Sequence, residues 1–213
     1  MSNSNMELLV NTLLDGDKAQ AVAEAKKLCD AGVSHQRIVT WGIEEAMAKL
    51  DAKCTVDEFN LLEIMLAGRA TMGVIKELYP PGGPPPRTKG TVVIASLEGD
   101  IHDLGKNITK MILTGIGYRL VDCGKDCPVE KLIEAAEQER AQVIGVSGLI
   151  TTIIPRVRQV KDMAAKRGPG HIKVLAGGAA LKQASAESLN VDFVADTAFD
   201  GARYLEQISK ETK

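Results

Sequence analysis

The sequence lacks a surplus of charge of either sign. Lys and Arg number 26 against 28 Asp and Glu, giving a net charge of −2 and a pI near 6.0. Neither nucleic acid nor an anionic membrane surface is therefore an expected partner. No apolar run approaches the length of a membrane span. The opening residues MSNSNMELLV lack the basic region and apolar core of an export signal. Cysteine is sparse: Cys29, Cys54, Cys123 and Cys127 form no CxxC pair. Without an export signal the thiols are expected to be reduced and the chain cytoplasmic. What remains is ordinary globular material, 45% apolar and 25% charged over 213 residues, enough for one large domain or two modest ones.

Proline divides the chain. The stretch YPPGGPPPRTKG (79–90) holds five of the eight prolines. Fixed φ angles and missing donors make it a linker and hinge, centred on Pro80–Pro86. Residues 1–79 read as a helical domain. Apolar residues recur at helical spacing up to Gly16, an Ala/Lys/Glu-rich segment stops at Gly32, a third helix starts at the N-cap Ser34, and a fourth starts at Thr55 with Glu58 at capping-box spacing. Four helices on short connections predict an antiparallel bundle.

Residues 91–213 change character. GTVVIASL, YRLVDCG, AQVIGVSGL, IKVLAGG and VDFVAD are short Val/Ile-rich runs separated by helical segments. Strand–helix alternation with near-continuous apolar strands predicts a parallel sheet covered on both faces. Five strands fit a doubly wound, flavodoxin-like sheet of order 2-1-3-4-5, with ligands at the carboxyl ends of strands one and three.

That rule gathers three loops on one rim: LEGDIHDLG after strand one, SGLITT after strand three and GGAAL after strand four. His102, Ser147 and Gly177–Gly178 become neighbours. A phosphate loop fits the first poorly. Five residues rather than four separate Gly99 from Gly105, Asn107 follows Lys106 where magnesium needs a hydroxyl, and Glu98, Asp100 and Asp103 repel phosphate. A zinc site from His102, Asp100, Asp103 and Cys123 or Cys127 lacks a second histidine. A solvated structural histidine is the plain alternative. Against it stands the spacing of Asp100 and His102. In an extended loop both point the same way, so the carboxylate accepts the Nδ1–H bond and leaves Nε2 as a free donor to a metal.

Asp100-x-His102-x-x-Gly105, Ser147-x-Leu149 and Gly177-Gly178, in this order at these strand ends, resemble the three-part pattern of cobalamin-binding domains. The chain as a whole is similar to the small two-domain corrinoid proteins of methanol, methylamine and O-demethylase methyltransferase systems, and to the cobalamin-binding region of methionine synthase. The resemblance implies an N-terminal four-helix cap, residues 1–79, and a Rossmann-like B12-binding domain, residues 91–213, joined through 80–90. It implies cobalamin bound base-off, with His102 as the lower axial ligand and Asp100 tuning it. The nucleotide tail would lie in a slot between strands one and three. Gly99, Ile101, Asp103, Leu104 and Gly105 of the first loop, Ser147, Leu149, Thr151 and Thr152 of the second, and Gly177, Gly178 and Ala179 of the third would line the cofactor. The Val194–Ala198 segment would flank the slot. Met65, Leu66 and Met72 would touch the upper face from the cap, where soft side chains suit a cover that moves. Trp41 and His35 are assigned to structure. One departure stands out: the serine that extends the His–Asp pair into a relay in methionine synthase-like proteins is here Ile153.

The implied function is methyl carriage, with methylcobalamin as the loaded state. A substrate-specific methyltransferase would load the carrier, a second one acting on tetrahydrofolate or coenzyme M would unload it, and a reductive activase would restore it. Alone, such a carrier turns over nothing. The alternatives are the small subunit of an adenosylcobalamin-dependent mutase, a cobalamin-based sensor, and a cofactor-free receiver-like signalling domain. The first would need a substrate barrel and the second an output module. The third would need an acceptor aspartate where Ser147 stands.

Overall fold

The computed structural model describes residues 2–53, 60–80, 88–167 and 172–211. The contacts divide it into two units, Met1–Thr88 with Met111–Gly117, and Lys89–Lys110 with Tyr118–Lys213.

The first unit is helical: α1 (Ser2–Leu14), α2 (Lys18–Asp30), α3 (His35–Ile38) running through a π-helical turn (Val39–Ile43) into α4 (Glu44–Lys53), and α5 (Leu61–Leu78). Each rod buries one stripe at helical spacing: Leu9 and Leu13 on α1, Ala21, Ala25 and Leu28 on α2, Met47 and Leu50 on α4, and Ile64, Ala67, Val74 and Leu78 on α5. α1 gives way at Gly16 (φ +70°), and Gly32 (φ +81°) follows the end of α2, the conformation glycine adopts at least cost. Ser34 caps α3, its hydroxyl accepting from the Arg37 amide at 3.3 Å.

The third rod differs from a plain α-helix. At Gly42, inside the π turn, a Cβ would stand 2.8 Å from Leu9 Cδ2, so α1 packs closely there, and Trp41 is turned out, 59% exposed. The cap expected at Thr55 and Glu58 lies outside the described residues. The described part of α5 has Asn60 as N-cap, its side chain accepting from the Glu63 amide at 3.2 Å. The prolines from 81 to 86 also lie outside the described residues.

The second unit is an all-parallel five-stranded sheet: β1 (Thr91–Ser96), β2 (Arg119–Asp122), β3 (Val143–Ser147), β4 (Lys173–Gly177) and β5 (Phe193–Ala195), ordered β2-β1-β3-β4-β5. Between them run α6 (Leu104–Gly115), whose residues from Met111 onward are counted with the first unit, α7 (Val129–Gln138), α8 (Ile154–Arg167), the short α9 (Ala186–Leu189) and the closing α10 (Ala198–Glu211). One core gathers Val93, Ala95 and Leu97 of the first strand and its exit, Ile144 and Val146 of β3, Leu132 and Ile133 of α7, and Val157 and Val160 of α8. Parallel strands need covering helices on both sides, which is why the Val/Ile runs are nearly uninterrupted.

The strand order reverses at β1, and the register there sets the rim. Ser96 pairs with Ser147, Ser147 with Gly177, and Gly177 with Ala195. Four small residues thus stand side by side, one strand spacing of about 4.8 Å apart, at the carboxyl edge of the sheet.

Charge pairs pin the sheet's margins. Asp192, before β5, accepts from the Val174 amide at 2.9 Å and from Lys161 and Lys173 at 3.0 and 3.3 Å. Burial pushes its carboxyl up, but the Val174 bond and the two ammonium groups outweigh this and hold it below the usual range. Asp122 sits under the same opposition, with Lys106, the Gly124 amide and Lys110 bringing it down. Carboxyls depressed in the fold stabilise it above their unfolded pKa, near ~4, and lose that contribution as pH falls through the folded value. Melting temperature is expected to hold from pH 7 to about 5 and fall steeply below about 4, with a shallower acid slope in Asp192→Asn. A wild-type profile flat down to pH 3 would contradict this reading.

Candidate functional site

The loop leaving β1 is folded back on itself. Gly99 adopts φ +93°, which a side chain resists. Its N–H donates to Asp126 Oδ1 at 2.8 Å, and the Asp100 amide donates to the Leu97 carbonyl at 2.9 Å. The reversal carries Asp100 inward, where it is fully buried. Its carboxylate is met by three N–H groups. Oδ1 accepts from the His102 amide at 3.0 Å and from His102 Nδ1 at 2.8 Å; Oδ2 accepts from the Leu149 amide at 2.7 Å. Burial raises the carboxyl's pKa, but the bonds from Leu149 and His102 more than offset it and leave it below the ordinary value. An ionised carboxylate only accepts, so His102 Nδ1 is the donor to Oδ1 and Nε2 is the ring nitrogen left outside that bond. The His102 side chain is half-exposed. Ser96 Oγ donates to the His102 carbonyl at 2.8 Å, fixing the backbone beneath the ring.

The loops that carry and brace this imidazole also expose three large apolar side chains. Ile101, Leu104 and Leu149 are 64%, 48% and 48% exposed. Leu149 thus has two jobs: its amide locks Asp100 and its side chain faces solvent. Gly99 and Gly105 are exposed and Asp103 half-buried. Gly105 faces Ser147, whose Oγ would lie 3.4 Å from a Cβ there.

Two kinds of glycine line the rim. Gly178 has φ +103°, and a Cβ there would lie 2.5 Å from the Gly148 carbonyl oxygen; at Gly148 a Cβ would meet Ile153 Cδ1 at 2.6 Å. The protein's own packing demands these glycines. At Gly177 a Cβ would meet only Ala195, at 3.5 and 3.7 Å, an ordinary contact. Space at Gly177 and Gly105 is therefore left open rather than required by neighbouring chain. Ala179 is exposed beside them.

Thr151 and Thr152 are exposed in a single 3-10 turn, Thr151–Ile153, while Ile153 is fully buried in the core. No hydroxyl takes the relay position. The second oxygen of Asp100 is committed to the Leu149 amide instead.

Lys106, weighed in the sequence only as a phosphate-loop lysine, is 2% exposed. Its ammonium donates to both oxygens of Asp122, at 2.7 and 2.8 Å, and to Asn107 Oδ1 at 3.1 Å. It ties the start of α6 to the end of β2, and so steadies the helix that follows His102.

In the helical unit Met65 is exposed and Met72 half-buried. Leu66 is engaged internally: its Cβ lies 2.4 Å from where a Cβ of Gly16 would stand. Among the described residues no three His, Cys, Asp or Glu side chains gather into a metal cage. No helix among the described residues is long and apolar enough to cross a membrane.

Residues 90–206 match the family described as B12 binding domain. The chain is 30% identical over 195 residues to dimethylamine corrinoid protein 1 of Methanosarcina acetivorans, covering 90% of this chain and 91% of the relative. It is 28% identical over 213 residues to a corrinoid protein of Desulfitobacterium hafniense, covering 98% and 99%. Among solved structures, a chain of the methanol:cobalamin methyltransferase complex from Methanosarcina barkeri superposes with a TM-score of 0.85 at 24% identity, over 99% of this chain and 81% of that one. A cobalamin-binding protein from Desulfitobacterium hafniense superposes with a TM-score of 0.76 at 21% identity, over 95% and 97%. A sheet of order 2-1-3-4-5, an imidazole held open at its switch point, and matches along nearly the whole chain to corrinoid proteins agree: this chain belongs to the B12-binding family of corrinoid proteins.

Proposed function

We propose that this protein is a methyl-carrying corrinoid subunit that holds cobalamin base-off, with His102 as the lower axial ligand. The observation that carries the reading is the half-exposed imidazole, its Nδ1 fixed on a buried carboxylate and its Nε2 open, set among exposed Ile101, Leu104 and Leu149. An apolar, flat-faced group with one free metal valence suits that donor set. The open space at Gly105 and Gly177 and the half-buried Ser147 hydroxyl between them suit a slender polar tail. Bound there, the corrinoid supplies a cobalt centre that takes up and gives up a methyl group.

The chain's own residues do the rest. Asp100 holds Nδ1 as donor and orients the ring so that Nε2 is the nitrogen presented to the cofactor. The Leu149 amide keeps Asp100 in place. The exposed side chains of Ile101, Leu104 and Leu149 would shield the bound group from water. Ser147 offers a hydrogen bond within the row of small residues, and Gly99, Asp103, Thr151, Thr152, Gly178 and Ala179 complete the three loops. From the helical unit, Met65 and Met72 are the proposed contacts, while Leu66, packed at Gly16, is the weaker candidate.

Relatives are named for dimethylamine and trimethylamine, and a structural neighbour for a methanol:cobalamin methyltransferase complex. The proposed partners follow: a methyltransferase specific for a small methylated compound, a second acting on tetrahydrofolate or coenzyme M, and a reductive activase. The proposed location is the cytoplasm. Reconstitution tests the reading. Protein incubated with hydroxocobalamin and passed through gel filtration is expected to retain about one corrinoid per chain, with an absorption spectrum altered from the free cofactor. A colourless protein under native and refolding conditions would overturn it.

A further inference from the structure

Cys123 and Cys127 are absorbed by no part of this function. They flank the turn that leaves β2. Cys123 follows Asp122, which pairs with Ile94, and its N–H donates to the Ile94 carbonyl at 2.9 Å. Cys127 bridges Leu97, and its N–H donates to the Ser96 carbonyl at 3.0 Å. Cys123 therefore lies opposite Ala95 and Cys127 opposite Leu97. Positions two apart on a strand share a face, and both thiols duly join the core containing Ala95 and Leu97. Two strand residues rise about 6.6 Å, inside the Cα separation of roughly 4.4–6.8 Å that a disulfide spans.

The intervening turn is held in shape. Gly124 and Asp126 take φ +88° and +52°, and Asp126 is anchored by the Gly99 amide at 2.8 Å and by its own N–H to the Asp100 carbonyl at 3.0 Å. Both thiols face the same core, and Cys127 Sγ donates to the Pro128 carbonyl at 3.5 Å. Cys127 is buried and Cys123 half-exposed.

We infer that Cys123 and Cys127 form a reversible dithiol–disulfide site, oxidised by a small peroxide such as hydrogen peroxide. The Cys123 hydrogen bond and Lys131 draw the Cys127 thiol down to about 7 against its burial, so the pair readily becomes a monoanion. Its neighbour Cys127 and burial hold the Cys123 thiol well above its ordinary value, so the Cys127 thiolate acts as its base: the Cys123 sulfur, which peroxide reaches, attacks one oxygen as its proton passes to Cys127. The O–O bond breaks, hydroxide leaves, and Cys123 becomes a sulfenic acid. The Cys127 sulfur then attacks that sulfur. The S–S bond forms, the S–O bond breaks, and the hydroxyl leaves as water with the Cys127 proton. In sum, two thiols and one hydrogen peroxide give one disulfide and two waters. A dithiol reductant reverses it by exchange.

The test needs no corrinoid and so stands apart from the proposed function. Full-length protein is reduced, freed of reductant and titrated with hydrogen peroxide. Alkylation and peptide mapping then follow each cysteine. Cys123 and Cys127 are expected to lose reactivity together, about tenfold faster than Cys29, given the difference in thiolate content; burial holds the Cys29 thiol up. A Cys123–Cys127 cross-linked peptide should appear and vanish with dithiothreitol. In Cys127→Ser, Cys123 should yield a sulfenic acid trapped by dimedone and no cross-link. The wild-type mapping decides the matter even if that variant folds poorly. Cys123 and Cys127 still alkylated while Cys29 is consumed, or a cross-link between separate chains instead, would overturn the inference.

Discussion

Asp100→Ala is expected to lower the melting temperature by roughly 10 °C and to abolish stable corrinoid retention. The carboxylate is fully buried and satisfies the amides of His102 and Leu149 as well as the His102 ring. Hydrogen bonds to a charged acceptor contribute about 1.5–3 kcal/mol each, and the orphaned donors would keep their desolvation cost. A loss of roughly 3–5 kcal/mol follows, and at about 2–4 °C per kcal/mol for a chain of this size the melting shift follows too. Asp100→Asn is a sharper probe. Its single oxygen can serve either the His102 side or the Leu149 side, and its NH2 group then opposes an N–H donor on the other. Asn is therefore expected to fall between wild type and Ala in thermal melts. An Asn variant as stable as wild type would show that the carboxylate does not organise the loop.

The second large effect separates two adjacent glycines. Gly178→Ala places a Cβ 2.5 Å from the Gly148 carbonyl oxygen, at φ +103°. The neighbour is backbone, itself bound by the Ala180 amide at 3.3 Å, so it yields little. Backbone strain of about 1–2 kcal/mol adds to the overlap, and a total loss of about 3 kcal/mol or more is expected. Gly177→Ala meets only Ala195 at ordinary distance, and stability should stay within about 1 kcal/mol of wild type. Its methyl group nevertheless enters the row Ser96–Ser147–Gly177–Ala195. Corrinoid affinity is expected to drop at least about tenfold, or about 1.4 kcal/mol. Chemical denaturation and equilibrium binding on the two variants check both halves. A Gly177→Ala protein that binds as tightly as wild type would mean that the tail lies elsewhere.

These contrasts also mark what the sequence discloses. The Val/Ile runs and the helices between them are enough for a parallel sheet covered on both faces, because strands buried on both faces leave few other patterns; the order β2-β1-β3-β4-β5 is one of the doubly wound orders they allow. The Asp100–His102 spacing discloses the imidazole's orientation, because two side chains on one short loop have little freedom. Partners distant in sequence are another matter. Nothing at Leu149 announces that its amide completes Asp100, since a backbone N–H carries no residue signature. Lys106 and Asp122 pair across sixteen residues, a meeting set by where α6 lands beside β2. Gly177 and Gly178 look alike in a string; only φ and the neighbouring backbone tell the packed one from the open one. The π turn at Val39–Ile43, where Gly42 packs against Leu9 of α1, is a feature that helical periodicity does not show.

The axial ligand is tested most directly by electron paramagnetic resonance of the reconstituted protein in its cobalt(II) state, prepared from uniformly 15N-labelled chain and unlabelled cobalamin. A spin-1/2 axial nitrogen splits each cobalt line into two, and the spin-1 nitrogen of the cofactor's own base splits it into three. Doublets in the labelled protein, lost in His102→Ala, are the predicted result. Triplets that persist in 15N protein would place the dimethylbenzimidazole on cobalt and contradict the assignment of His102.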